Sequence, residues 1–241
     1  MPAAADTHNN VVASPSWESP TAASGRQVWT GYVDVAHPHV QFRFVASNFI
    51  VPAVTCTHPE SKASFWVGLD GYGNGTVEQV GLSTNCIPVN GVAVPVYQVW
   101  WEMFPDGVHY VRNAIPGDHL ALSVFYNSST DMYRLSITDK NFAPASFTVR
   151  EHCPSGHTCR NATAEAILEA DNGSFLSRFS PVTFSNSSVT SRGGTRGAFG
   201  NTTLWDLAEP VMTGSNGQPL AHVSRLSNRG RNFTITYHEA T

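Results

Sequence analysis

The chain has 241 residues and a formal net charge of -4 at pH 7, and only 13% of its residues are charged. Because basic residues are not in excess, it lacks the positive field that attracts nucleic acids and anionic membranes, and we expect neither as a partner. No apolar run approaches the roughly 18 residues of a membrane span. These properties leave a globular protein that binds or converts smaller molecules or other proteins.

The first 27 residues differ in composition from the remainder of the chain. They are rich in Ala, Ser, Pro and Asn and show no hydrophobic periodicity. We therefore predict a flexible N-terminal arm over residues 1–27. A chain of this length commonly folds as one all-β domain, so we expect a single domain over residues 28–241.

Short β-rich runs separated by turn residues dominate that domain. The predicted strands are 28–33, 40–51, 64–70, 76–82, 94–104, 119–126, 132–138, 146–150, 164–169, 181–184, a weaker one at 202–207, 220–224 and 232–237. No run shows helical periodicity over 11 residues. Many strands joined by short turns predict an all-β fold, an antiparallel sandwich.

Four cysteines predict two disulfide bonds, Cys56–Cys86 and Cys153–Cys159. A zinc site is the alternative for the second pair, because the segment HCPSGHTC at 152–159 also contains His152 and His157. Structural zinc sites normally have a wider spacing between their ligand pairs, so we expect disulfides and no metal.

Two segments carry the candidate chemistry. SFWVGLDGYGNGTVEQVG at 64–81 joins a strand-like apolar run through a Gly-rich turn to a strand that contains Gln79, and AEAILEA at 164–170 contains Glu165. A strand glutamine or glutamate is commonly a solvated surface residue, so either motif alone has a high false-positive risk. Their combination is more informative than either half.

Together with WTGYV at 29–33, FIVPAVTCT at 49–57, YQVWWEMFPD at 97–106 and VTFS at 182–185, these segments resemble the glutamic peptidases, the G1 or eqolisin family. The motifs occur in the family's order, and the resemblance extends over about residues 29–237. It implies a sandwich of two curved antiparallel sheets, a jelly roll of the concanavalin or lectin type. It also implies a secreted acid endopeptidase that acts on polypeptides without a cofactor, and we expect a monomer.

The resemblance assigns the catalytic roles to Gln79 and Glu165. Ionised Glu165 would act as general base on a water, while the Gln79 amide orients that water and donates a hydrogen bond to the oxyanion. A free glutamate titrates near pH ~4.3, so it can act as base and then acid in acid solution. The residues expected to support the pair or the substrate are Trp66, Asp70, Glu102 and Trp100.

A carbohydrate-active sandwich is the competing interpretation. The paired carboxylates of glycosidases lie about 5 to 9.5 Å apart, whereas Glu165 and Glu169 on a regular strand would be about 13 Å apart. Glu102 on another strand could still supply a partner. A lectin would need no catalytic pair, and the content of Trp and Tyr is its only support. The sequence leaves both possibilities open.

Overall fold

The computed structural model describes residues 27–56, 58–170, 175–201 and 203–238. Apart from Gln27, the predicted N-terminal arm lies outside the described residues. Strands and turns make up most of the described chain, with one short 3-10 helix at Ala143–Ala145. In these residues, no helix has the length and hydropathy needed to cross a membrane.

Seventeen strands are present in the described chain. They are β1 (Trp29–Ala36), β2 (Phe42–Ile50), β3 (Val54–Thr55), β4 (Lys62–Leu69), β5 (Val77–Val89), β6 (Val92–Phe104), β7 (His109–Asn113), β8 (His119–Asn127), β9 (Met132–Asp139), β10 (Phe147–Glu151), β11 (Thr163–Glu169), β12 (Arg178–Phe179), β13 (Val182–Ser191), β14 (Arg196–Gly197), β15 (Trp205–Ala208), β16 (Ala221–Val223) and β17 (Phe233–Tyr237). Every predicted strand has a counterpart. The sequence pattern missed four strands, β7 and the two-residue strands β3, β12 and β14. The two-residue strands contain too few residues for a recognisable alternation.

The strands form two large antiparallel sheets. The order in the first sheet is β15-β1-β11-β4-β5-β6-β7, and the order in the second is β10-β9-β8-β2-β13-β17-β16, with β14 paired to β13. Strands β3 and β12 form a separate small ladder. The predicted single-domain antiparallel sandwich is confirmed.

The main core lies between the two large sheets. On β4, the alternate residues Phe65, Val67 and Leu69 belong to this core, together with Leu122 and Leu135 of the second sheet. Because successive side chains on a strand point to opposite faces, Ser64, Trp66 and Gly68 must point away from the second sheet. We call this side the outer face of the first sheet.

The outer face of the first sheet also carries a buried apolar cluster. Its members are Val28, Trp29, Val33, Trp66, Tyr72, Val77, Trp100 and Ile167. This second cluster explains why β4 and β11 are buried at almost every position, since both of their faces are covered. Strand β6 contributes to both clusters, because Tyr97 and Met103 join the main core whereas Trp100 joins the outer cluster.

Both predicted disulfides, Cys56–Cys86 and Cys153–Cys159, are present. The first connects the segment after β3 to β5, and the second closes a short loop before β11. Oxidised cysteine sulfurs are not available as thiolate ligands, so the alternative zinc site at 152–159 is excluded.

Gly81 provides a test of the outer cluster. A Cβ atom at this position would lie 2.6 Å from Cζ2 of Trp100 and 2.7 Å from Cβ of Trp66. We expect Gly81→Ala to lower the free energy of unfolding by about 1–3 kcal/mol, because both tryptophans would have to move. Urea unfolding measures this loss. Gly107→Ala is the matched control, since its Cβ would meet nothing within 4 Å, and equal losses in the two variants would contradict the packing argument.

Candidate active site

Four residues lie side by side across the middle of the first sheet. Glu165 on β11 is opposite Gly68 on β4, Gly68 is opposite Gln79 on β5, and Gln79 is opposite Glu102 on β6. Directly opposed residues point to the same side of a sheet, and Gly68 belongs to the outer face. Glu165 and Gln79 therefore share that face, with a glycine between them. We call this set the catalytic row, after the candidate role of Glu165 and Gln79.

Gly68 leaves the space between the two candidate catalytic residues without a side chain. Two strand spacings place the Cα atoms of Glu165 and Gln79 about 10 Å apart, a gap that two long side chains can span from either side. A Cβ atom on Gly68 would lie 3.2 Å from Cβ of Gln79 and 3.0 Å from Cζ3 of Trp66. Any larger residue would crowd both neighbours.

The Gln79 amide is held by Glu102. Nε2 of Gln79 donates to Oε2 of Glu102 at 2.6 Å. Because a carboxylate only accepts hydrogen bonds, this contact turns the amide nitrogen toward Glu102 and the amide oxygen away from it. Oε1 of Gln79 is buried and has no hydrogen-bond partner among the described residues. The amide thus keeps one N–H and one oxygen for other molecules.

Glu165 is completely buried and makes one hydrogen bond to a neighbouring side chain. The hydroxyl of Thr163 donates to its Oε1 at 3.1 Å. Its other oxygen, Oε2, has no hydrogen-bond partner within the described part of the chain. The carboxyl therefore has one anchored oxygen and one available oxygen.

Burial raises the pKa of Glu165 well above its usual value, and the nearby Asp70 carboxylate raises it further. The hydrogen bond from Thr163 opposes this shift only in part. The free-glutamate value used in the sequence argument therefore does not apply to the folded protein. A sequence cannot reveal this shift, because it depends on how completely the fold removes the carboxyl from water.

Trp66 and Trp100 both lie in the outer cluster beside the catalytic row. Nε1 of Trp66 donates to Oε2 of Glu169 at 3.0 Å, and its ring contacts Trp29 edge to face, with centroids 4.8 Å apart. The ring of Trp66 also borders Gly68. The two tryptophans therefore form the apolar floor next to the row, and Glu169 holds one of them in place.

Asp70 supports the site from the end of β4 rather than from the outer face. Its carboxylate accepts the backbone N–H of Asn161 at 2.6 Å, that of Ala162 at 2.7 Å and the side-chain amide of Asn74 at 2.8 Å. Tyr133 of the second sheet donates to Oδ1 of Asn161 at 2.9 Å. Asp70 thereby fixes the segment that leads into β11.

In the first sheet, two further carboxyls, those of Asp34 and Glu78, were not predicted as site residues from the sequence. Both are fully buried. Burial raises the pKa of each well above its usual value, and Asp70 adds to the effect on Glu78. The sequence shows only an acidic residue in a strand, which does not distinguish a buried carboxyl from an exposed one.

The catalytic row becomes more accessible toward the β6–β7 edge of the sheet. Glu165 is fully buried, Gln79 is 5% exposed and Glu102 is half-buried. Phe104, two residues beyond Glu102, and Tyr110, opposite Trp100, are 45% and 47% exposed. A ligand would therefore approach the row from this edge. Among the residues with described positions, no three His, Cys, Asp or Glu side chains cluster in a way that could hold a metal ion.

The four fully buried carboxyls, those of Asp34, Asp70, Glu78 and Glu165, predict that the protein is more stable in acid. Burial raises the pKa of each in the folded state, so the folded protein binds more protons than the unfolded chain and loses stability as pH rises through the folded pKa values. Calorimetry from about pH 3 to 8 should show a falling Tm. Glu78→Gln should flatten that slope, whereas Glu60→Gln at an exposed turn should not. A Tm that rises over this range would contradict the prediction.

Known proteins share this architecture. The Peptidase A4 family matches residues 27–237. Scytalido-glutamic peptidase, solved with a transition state analog inhibitor, has a TM-score of 0.71 and 20% identity, over 88% of this chain and 98% of that one. SCP-B, a member of the eqolisin family solved with the tripeptide Ala-Ile-His, has a TM-score of 0.66 and 20% identity over the same shares of each chain.

Aspergilloglutamic peptidase from Aspergillus niger is 25% identical, with a TM-score of 0.57 over 74% of this chain and 100% of that one. Among curated protein sequences, none is significantly similar to this chain. The family match nevertheless spans nearly the whole described sandwich, both of its sheets and the catalytic row. The chain belongs to the Peptidase A4, or eqolisin, family and is a glutamic-type endopeptidase.

Proposed function

We propose that the chain is a secreted acid endopeptidase that hydrolyses peptide bonds with Gln79 and Glu165. One observation carries this proposal: both side chains lie on the outer face on either side of Gly68, and each has a buried oxygen without a described protein partner. Two such acceptors on one face suit a water molecule, which has two hydrogens to donate. The disulfides agree with an extracellular location.

In the proposed reaction, Oε2 of Glu165 takes a proton from a water molecule while the water oxygen attacks the peptide carbonyl carbon. Oε1 of Gln79 accepts the second hydrogen of the water and so orients it. The carbonyl oxygen becomes an oxyanion, which receives a hydrogen bond from the second N–H of Gln79. Glu165 then gives this proton to the amide nitrogen and is ionised again. The oxyanion re-forms the carbonyl as the C–N bond breaks, and the products are an amine and a carboxylic acid that ionises in solution.

Glu102 has an orienting role in this scheme. Its carboxylate binds one N–H of Gln79, and so determines which atoms of the amide remain for the water and the oxyanion. An amide that rotated freely would present its oxygen to the developing negative charge half of the time, which would be repulsive. The Glu102 contact removes this unproductive orientation and needs no protonation change in Gln79.

The raised pKa of Glu165 determines the pH range of the reaction. A general base must be ionised, so activity should increase as pH rises through the elevated pKa of this carboxyl. Ionisation of the other buried carboxyls then destabilises the fold at higher pH. The two effects favour a working range above the titration of an ordinary glutamate and below the pH at which the fold is lost.

The proposed substrates are flexible or unfolded polypeptides. The catalytic row lies on the face of a sheet beside buried tryptophans, and the exposed aromatics Phe104 and Tyr110 mark the side from which a chain would enter. Because Glu165 is fully buried, a peptide carbonyl can reach the catalytic row only from an extended segment. The complex of SCP-B with the tripeptide Ala-Ile-His shows that a similar fold binds a short peptide.

The glycosidase alternative receives no support from these contacts. Glu169 accepts the indole N–H of Trp66, and Glu102 accepts the amide of Gln79, which lies between Glu102 and Glu165. Both carboxylates that the sequence offered as partners of Glu165 therefore accept hydrogen bonds from other side chains. The family match also favours peptide hydrolysis.

Substitution of the two proposed catalytic residues tests the function. With denatured casein or haemoglobin as substrate from about pH 2 to 7, Glu165→Gln and Gln79→Ala should each lower kcat/KM by roughly 100-fold or more. The first change removes the base, and the second removes the oxyanion donor. Glu60→Gln, which changes an exposed carboxylate in the same way, should retain the parent activity.

Two results would overturn the assignment. Parent-like cleavage by Glu165→Gln or by Gln79→Ala would show that the residue is not catalytic. Release of reducing sugar from a panel of polysaccharides, abolished by Glu102→Gln, would indicate the carbohydrate-active alternative instead.

A further inference from the structure

Thr163 is the first residue of β11 and is only 1% exposed. It lies two residues before Glu165, so the two side chains point to the same face of the strand. Its hydroxyl donates to Oε1 of Glu165 at 3.1 Å. No motif in the sequence drew attention to this residue, because a threonine in a strand is ordinary.

The backbone around Thr163 is held from the neighbouring strand. The backbone N–H of Asp70 donates to the carbonyl of Thr163 at 3.1 Å. The Asp70 carboxylate accepts the N–H groups of Asn161 and Ala162 immediately before it. The Thr163 hydroxyl therefore projects from a segment fixed at three consecutive residues, and its position relative to Glu165 is well defined.

We propose that Thr163 is a positioning residue for the peptidase reaction: its hydroxyl anchors Oε1 of Glu165 and so presents Oε2 as the basic oxygen. This inference rests on the proposed role of Glu165. Oε2 has no hydrogen-bond partner in the described ranges, so the bond from Thr163 to Oε1 makes the two oxygens chemically different. The proton from water goes to Oε2, while the Thr163 hydrogen bond to Oε1 persists throughout and Thr163 itself exchanges no proton.

Charge around Glu165 makes this anchor important. Asp34 on β1, Asp70 after β4 and Glu78 on β5 all disfavour its ionised form, in addition to burial. The Thr163 hydroxyl is the hydrogen-bond donor that favours the carboxylate. Without it, Glu165 would ionise at a higher pH, and its carboxyl would be free to rotate away from the peptide.

The test compares Thr163→Val, which replaces the hydroxyl by a methyl group of similar size, with Thr163→Ser, which retains a donor. With a peptide substrate, Thr163→Val should lower kcat by roughly 10- to 100-fold, the effect expected for loss of one hydrogen bond to a charged group. KM should stay close to the parent value, and the acidic limb of the pH profile should move to higher pH. Thr163→Ser should restore most of kcat and the parent pH profile.

Thr84→Val is the matched control. Thr84 is also fully buried in the first sheet, but its hydroxyl donates to the backbone carbonyl of Ala63. The Thr84→Val variant should change Tm without moving the acidic limb of the pH profile. Should Thr163→Val not fold, Thr163→Ala removes the same hydroxyl and supplies the comparison.

The outcomes separate this inference from the proposed function. Glu165→Gln with parent activity would overturn the role of Glu165, and that of Thr163 with it. An inactive Glu165→Gln beside a Thr163 variant with parent kcat and an unmoved acidic limb would overturn the Thr163 role alone. If Thr163→Val lowered kcat no more than Thr84→Val does, the role of Thr163 would be structural.

Discussion

The register of four neighbouring strands is the constraint on which the proposed site depends. Because β11, β4, β5 and β6 pair without a shift through the catalytic row, Glu165 and Gln79 fall on one face with Gly68 between them. A slip of one residue between β4 and β5 would turn Gln79 into the core and Glu78 onto the outer face. The two apolar clusters, one on each side of the first sheet, oppose such a slip.

A second feature is the buried polar network that joins the site to the rest of the sandwich. Asp70 fixes the segment before β11, and Tyr133 of the second sheet binds Asn161 within the same segment. Such groups are costly to bury unless their hydrogen bonds are made, so the network fixes one arrangement of the two sheets. The position of Glu165 is thus determined by contacts that reach beyond its own strand.

The same burial links the chemistry to stability. The carboxyls of Asp34, Glu78 and Glu165 are removed from water on folding, which favours their protonated forms. Acid conditions therefore help the fold, while the proposed base requires enough ionised Glu165 to act. Gln79 is independent of this balance, because an amide does not titrate. A glutamate–glutamine pair consequently has one pH-dependent member only.

The strand pattern, the two disulfide pairs and the family could be predicted from the sequence, because alternation, cysteine spacing and the two motifs are local properties. The sequence also identified Gln79 and Glu165 as a pair through their resemblance to that family. The folded structure was needed to show that the two residues flank Gly68, and that Thr163 and Glu102 form hydrogen bonds with them. It alone showed that Glu165 and Glu78 are wholly buried. These facts depend on pairing between strands distant in sequence and on the exclusion of water, neither of which a local pattern contains.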